Sequence, residues 1–301
     1  MDAINEMAET TRRMHSMSLP HGVLALLMLL GAVGHSAAFA QSTDAPAPSE
    51  PQGESPSRPA LGALGLQVKV GPEYPGARDA VARLQANWVV RWGRLTVSNG
   101  GPLASRLGEP AEAGLSADLF SLDRFRLSAS VRLDQGRDSD AVSGLRGVHD
   151  IPAHLRGRLR AGWQLHRQWE ISTTWRTDLS GRGTGKGMDL TLLHEWRPDF
   201  LDHTRWRVSV GTSAEWLDAT RANLVHGVTE QDAARSGYAP FRLDSGWTEW
   251  ALFANARREL GSGWLGYGSL TATRLLGQAA NGPLVQHRQG LTVALGVGRR
   301  F

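Results

Sequence analysis

Three arginines, Arg156, Arg158 and Arg160, stand at every second position of a segment in which Leu155, Gly157, Leu159, Ala161, Trp163 and Leu165 fill the places between. Successive side chains of an extended chain point to opposite faces, so the three guanidinium groups share one face. A soluble core does not bury such a row, whereas the polar lumen of a barrel accepts it. Arg176, Arg205 and Arg207 recur at the same parity in later segments, together with Glu170, Glu195 and Glu215. Two chemistries fit. Paired charges would form a salt-bridged ladder filling a narrow interior. Cations in excess would instead make an anion-selective path, with Arg156, Arg158 and Arg160 as its ladder.

Catalysis would need a nucleophile beside a base that a third group orients. His194 beside Glu195, His226 in a long loop, and His287 with Ser269 across a hairpin are the candidates, and none sits in a nucleophile motif. No two histidines share a face at ligand spacing and no acidic calcium loop occurs, so neither a metal nor a cofactor is expected. The chain has no cysteine, which removes disulfides, thiolate metal sites, cysteine nucleophiles and a lipoprotein anchor from the expectations.

The elements that would position these charges are strands. Alternation predicts twelve of them, near 62–70, 80–92, 94–100, 113–121, 124–134, 155–166, 168–179, 186–197, 203–217, 246–260, 263–275 and 288–301, with ten if the third and fourth shorten. The segment from Trp206 to Trp216 tests the length. About ten residues at about 3.3 Å each, tilted by about 40°, span roughly 25 Å, the height of an outer-membrane apolar band. Trp206 and Trp216 would bracket that band, with Trp88, Trp163 and Trp169 as further girdle aromatics. Short turns, such as Gly93-Arg94 and Gly261-Ser262-Gly263, alternate with longer polar connections at 71–79, 101–112, 135–154, 180–185, 217–245 and 277–287. This predicts an all-β, transmembrane antiparallel barrel with both termini periplasmic.

The last strand carries Val293, Leu295, Val297 and the terminal Phe301 on one face and small residues on the other. It is read as the closing strand and, with its final aromatic, as the signal for the barrel-assembly machinery. The small inward face of Gly290, Ala294, Gly296 and Gly298 would leave room for arginines from other strands, and Arg299 would snorkel to an interface.

Upstream, Arg12 and Arg13, the apolar run from Gly22 to Gly34 and Ala38-Phe39-Ala40 read as a signal peptide over 1–40, cleaved near Ala40, with Met1, Met14 and Met17 as alternative starts. Residues 41–60 are rich in Pro, Ser and acids and read as a periplasmic tether, leaving 61–301 as the barrel. The formal charge of the full chain is +4, and losing residues 1–40 would make it one unit more positive. Export with tryptophans near strand ends argues against a nucleic-acid partner despite the basic balance.

Tyr74-Pro75-Gly76 in the first loop, Ser236-Gly237-Tyr238 within the 231–246 segment, and Leu276-Gly277 with Pro283 in the last loop resemble three ordered elements of the MipA/OmpV family of outer-membrane proteins. Ala77, Gln278, Gly282 and Arg299 depart from that pattern, where the family has Ser, Asp, Ser and Tyr. The resemblance implies a non-enzymatic scaffold in the cell envelope that links a lytic transglycosylase to a penicillin-binding protein. A small anion channel is the alternative, and a barrel lipid hydrolase the third.

Overall fold

The computed structural model describes residues 61–101, 103, 111–196, 201 and 206–301. The signal peptide, the tether and Arg205 lie outside the described residues. Twelve antiparallel strands close into one barrel in which each pairs with its neighbours in sequence and β1 meets β12. They are β1 (Leu61–Pro72), β2 (Ala80–Trp92), β3 (Leu95–Gly101), β4 (Ala111–Ser121), β5 (Phe125–Asp134), β6 (His154–His166), β7 (Trp169–Asp178), β8 (Lys186–Trp196), β9 (Trp206–Leu217), β10 (Gly246–Gly261), β11 (Trp264–Leu275) and β12 (Gln289–Arg300). All twelve anticipated strands are present, with no end shifted by more than three residues.

β12 closes on β1 as the closing strand it was read to be, with Leu66 opposite Val297, Val68 opposite Leu295 and Val70 opposite Val293. The Phe301 N–H then donates to the Gly62 carbonyl at 3.0 Å and its carbonyl accepts from the Gly62 N–H at 3.1 Å, which carries the seam one residue beyond the Ala63–Arg300 pair. The outer wall is a belt of exposed apolar side chains, among them Leu84, Leu133, Leu159, Trp175 and Leu291. A belt of this extent is excluded from water and matched by hydrocarbon. The turn between β10 and β11 needs three successive left-handed residues, with φ of 95° at Gly261, 50° at Ser262 and 79° at Gly263. Two glycines there let the strands reverse within three residues.

The long connections gather at one end and carry the helices α1 (Ala219–His226) and α2 (Glu230–Ser236) between β9 and β10. One departs from the expectation of an outer loop. Gly100 and Gly101, with φ of 88° and 83°, turn the chain after a short β3, and Leu103 is buried against the inward-facing Ala63, Val89, Leu265 and Tyr267. The Asn99 side chain replaces the lost pairing by accepting from the Trp88 N–H and donating to the Ala86 carbonyl.

Candidate functional site

The inward faces of β5 to β10 hold the anticipated charge ladder, and most of it is paired. Arg156 meets Asp134 at 2.7 Å, Arg160 meets Glu170 at 2.8 Å, and Arg176 meets both Asp189 at 2.8 Å and Glu215 at 2.7 Å. Cross-strand register explains the choice of partners. One row runs Arg160, Thr174, Asp189, Glu215 and Glu249 across β6 to β10, and Arg176 of β7 reaches its Asp189 and Glu215, while Arg156 and Arg160 of β6 pair with Asp134 of β5 and Glu170 of β7. Each pair is partly shielded from water, where removing one partner strands the other. Arg158 stands across from Arg176 and faces a lumen cavity of about 260 Å³, which Arg160, Arg176, Asp189 and Glu249 also line. Glu195 sits opposite Ser209, and Arg207, opposite Arg257, is exposed at the short-turn end.

The lumen also has an apolar part that alternation did not reveal. Tyr267 is 1% exposed, accepts from Asn87 Nδ2 at 3.2 Å and donates to the Leu66 carbonyl at 3.3 Å. A Cβ on Gly296 would lie 2.5 Å from its ring, one on Gly65 3.0 Å from its hydroxyl, and one on Gly298 3.0 Å from Leu103. The small inward face of β12 therefore makes room for Tyr267 and Leu103, not for arginines. The signal lay in the glycine face itself, which requires a bulky neighbour without saying which.

The three loop motifs converge at the other end. Tyr74 donates to the Leu284 carbonyl at 3.2 Å, next to the half-buried Pro283. Gly76, beyond the exposed Pro75 and at φ 96°, accepts through its carbonyl from the N–H groups of Gln286 and His287. Tyr238 donates to the Gly144 carbonyl at 3.1 Å, and a Cβ on Gly144 would lie 2.5 Å from the Tyr74 hydroxyl. Ser236 donates to the Asp232 carbonyl and accepts from the Tyr238 N–H, while Gly237, at φ 78°, ends α2. The Leu276 N–H donates to the Thr248 carbonyl, and Gly277, at φ 51°, begins the turn of the last loop. Around these bonds Tyr74, Ala77, Leu145, Val148, Val228 and Leu284 form a hydrophobic core. The loops after β1, β5, β9 and β11 thus make a packed cap with its own interior.

Polar groups lock the cap. Asp232 accepts from His149 Nδ1 at 2.7 Å, the Thr229 N–H at 3.0 Å, Thr229 Oγ1 at 2.7 Å and Arg235 Nη2 at 2.8 Å. Burial pushes its carboxyl up, but these donors outweigh burial and hold it well below the usual carboxylate range. His149 presents its other nitrogen to the Leu224 carbonyl at 3.0 Å, which ties the third long loop to both helices. Arg137 reaches the Val225 and His149 carbonyls, and burial lowers its pKa against the pull of Asp150 and Asp232. Arg221 is pushed down to about 10, first by burial and then by Arg156. Gln278, a departure from the family pattern, accepts from the Asp244 N–H and donates to its carboxylate, a pairing that an aspartate there would replace with repulsion.

The other predicted residues separate. Val293, Leu295, Val297 and Phe301 lie along the closing strand, Phe301 being 77% exposed. Trp88, Trp163, Trp169, Trp206 and Trp216 all lie at outward-facing positions, Trp206 and Trp216 at opposite ends of β9. Arg299 lies 5.9 Å from the centre of the Trp264 ring, and Arg258 stacks likewise on Trp206, so these outward charges rest on aromatic faces. His194 stacks on Trp169 at 4.4 Å, His226 is buried under the cap, and His287 accepts from Arg78 in the cap while Ser269 pairs with Asn255 and Ala294 in the wall. These groups do not converge on a nucleophile. Among the described residues there is no cluster of three or more potential metal ligands.

Compared with known proteins, the chain matches the model of the family described as MltA-interacting protein MipA over residues 64–301. The chain belongs to this family. The match spans every strand and all three loop elements, and with the apolar outer wall it makes the protein an outer-membrane barrel. No curated protein matches it. Among solved structures it is similar to the CymD monoaromatic hydrocarbon channel, at 9% identity and TM-score 0.38, covering 80% of this chain and 88% of that one. It is similar also to the KdgM porin, at 8% and 0.35, covering 80% and 99%, and to OmpT of Vibrio cholerae, at 6% and 0.35, covering 81% and 97%. These likenesses are too distant to bear on what the barrel handles.

Proposed function

We propose that this barrel is a non-enzymatic scaffold of the Gram-negative cell envelope, exported by its N-terminal signal. It would hold a lytic transglycosylase at the outer membrane and, through it, a penicillin-binding protein. Membership of a family described as MltA-interacting, over nearly the whole barrel, carries this reading. The cap gives it a physical basis, because four loops packed around one core over a charge-paired lumen make a rigid body. With the termini at the short-turn end and that end periplasmic, the short turns and residues 41–60 are the surfaces that can reach murein enzymes. Pull-down from detergent extracts, with the full chain and with residues 41–60 deleted, should enrich murein enzymes with the full chain and fewer of them with the deletion. No enrichment in either would remove the scaffold.

The second reading, a small anion-permeable channel, draws on the cavity that Arg158, Arg160 and Arg176 line. Planar-bilayer recording should then show anion-selective current that falls when Arg156, Arg158 and Arg160 are neutralised. A silent bilayer would end it.

A further inference from the structure

One space inside the barrel is lined by neither the cap nor the apolar cluster. Its volume is about 260 Å³, and its lining divides by chemistry around the circumference. Arg158 and Arg160 of β6 and Arg176 of β7 form one side, Asp189 of β8 and Glu249 of β10 the other. Thr174, Thr191, Ser213 and Thr271 also line it, contributing hydroxyls, and Phe253 adds an apolar surface.

The pairing around this space is unequal. Arg160 is committed to Glu170, and Arg176 to Asp189 and Glu215. Glu215 also accepts from Thr248 Oγ1 at 3.3 Å. Glu249 lies next to Glu215 across the β9–β10 ladder, yet among the described residues none donates a hydrogen bond to its carboxylate. A carboxylate facing an internal cavity without a donor is costly unless something supplies one. A bare cation would satisfy Glu249 while meeting the arginines, and a bare anion would meet Glu249.

We propose that this cavity binds a small zwitterion, its ammonium group donating to Glu249 and its carboxylate turned toward the Arg158 and Arg160 side. The threonine and serine hydroxyls would complete its polar contacts, and Phe253 would pack against its carbon skeleton. Four strand spacings along the wall separate Arg160 from Glu249, so the guest must carry its two charges on opposite ends. The proposal does not depend on the scaffold: a barrel that binds no murein enzyme could still hold such a guest.

The test uses the full chain in detergent at pH 8, with titration calorimetry of three probes of one length. These are 6-aminohexanoate, hexanoate and 6-aminohexanamide, which carry both charges, the negative alone and the positive alone. The expected result is at least tenfold tighter binding of 6-aminohexanoate than of either analogue. Glu249→Gln, a nearly isosteric change, should abolish that preference while hexanoate binding stays unchanged. Retention of the folded, faster-migrating band on unheated gels confirms that the variant barrel is intact. Equal binding of the three probes, no binding of any, or an undiminished preference in Glu249→Gln would overturn the proposal.

Discussion

Acid should open the cap before it disturbs the barrel, and His226 is the group that sets where. It ends α1, is 5% exposed, and burial pushes its pKa down from 6.5 to about 4. The carboxylate of Glu215 pulls the other way, while Arg137 and Arg221 add to the depression. The fold therefore holds a neutral imidazole that the opened cap would protonate. Because the folded value is the lower one, this contribution is complete above pH 6.5 and is lost as the pH falls toward 4. A shift of this size corresponds to about 3 kcal/mol in full, of which about 2.5 kcal/mol is lost by pH 4.5, close to a hundredfold in the opening equilibrium. Asp232 acts in the same direction only at lower pH, since its stabilisation disappears below the normal carboxylate range, so a comparison of pH 7.5 with pH 4.5 isolates the histidine. Hydrogen exchange of peptides covering 219–245, corrected for the intrinsic dependence of exchange on pH, should show that hundredfold loss of protection while the wall strands keep theirs. In His226→Gln the loss should shrink to less than tenfold. A hundredfold loss that persists in the variant, or full protection of the parent at pH 4.5, would refute the reasoning.

Three further outcomes follow from named contacts. Arg176→Met strands Asp189 and Glu215 together and should cost about 3 kcal/mol, read as a lower urea midpoint of the detergent-solubilised barrel. An unchanged midpoint would mean that the ladder contributes nothing. Gly296→Val places a side chain where the Tyr267 ring lies, and should displace the ring and lower the thermal transition, whereas Gly246→Ala, where an added Cβ meets nothing within 4 Å and the backbone is not left-handed, should lower it far less. Equal effects would contradict the packing described for the lumen. Deletion of Phe301 removes both hydrogen bonds to Gly62 and the aromatic end of the closing strand, and should cut the fraction of chain that assembles into the outer membrane. Normal assembly, seen as a full heat-modifiable band, would count against that role.

Much of the barrel was legible because the alternation is physical. A wall between lipid and a polar lumen imposes a two-residue period on every strand, so the order of twelve strands, the closure of β12 on β1 and the inward parity of Arg156, Arg158 and Arg160 follow from residue types alone. Parity does not say which charge meets which. That Arg176 takes two carboxylates while Glu249 takes no donor depends on the stagger between strands and on the bulge between Trp247 and Glu249. Nor does parity mark Leu103 and Tyr267 as an apolar part of the lumen, since the inward bend at Gly100 and Gly101 has no periodic signature.

The loops show the same division more sharply. Composition marked them as connections, and the resemblance marked Tyr74, Gly76, Ser236, Tyr238 and Pro283 as belonging together, but neither says that Tyr74 meets Leu284 some two hundred residues away. What the sequence by itself determined is the wall, because each strand is solved locally by the two solvents on its faces. Only the tertiary structure decided the cap and the lumen pairings, because those depend on barrel closure bringing distant loops and distant charges within bonding distance.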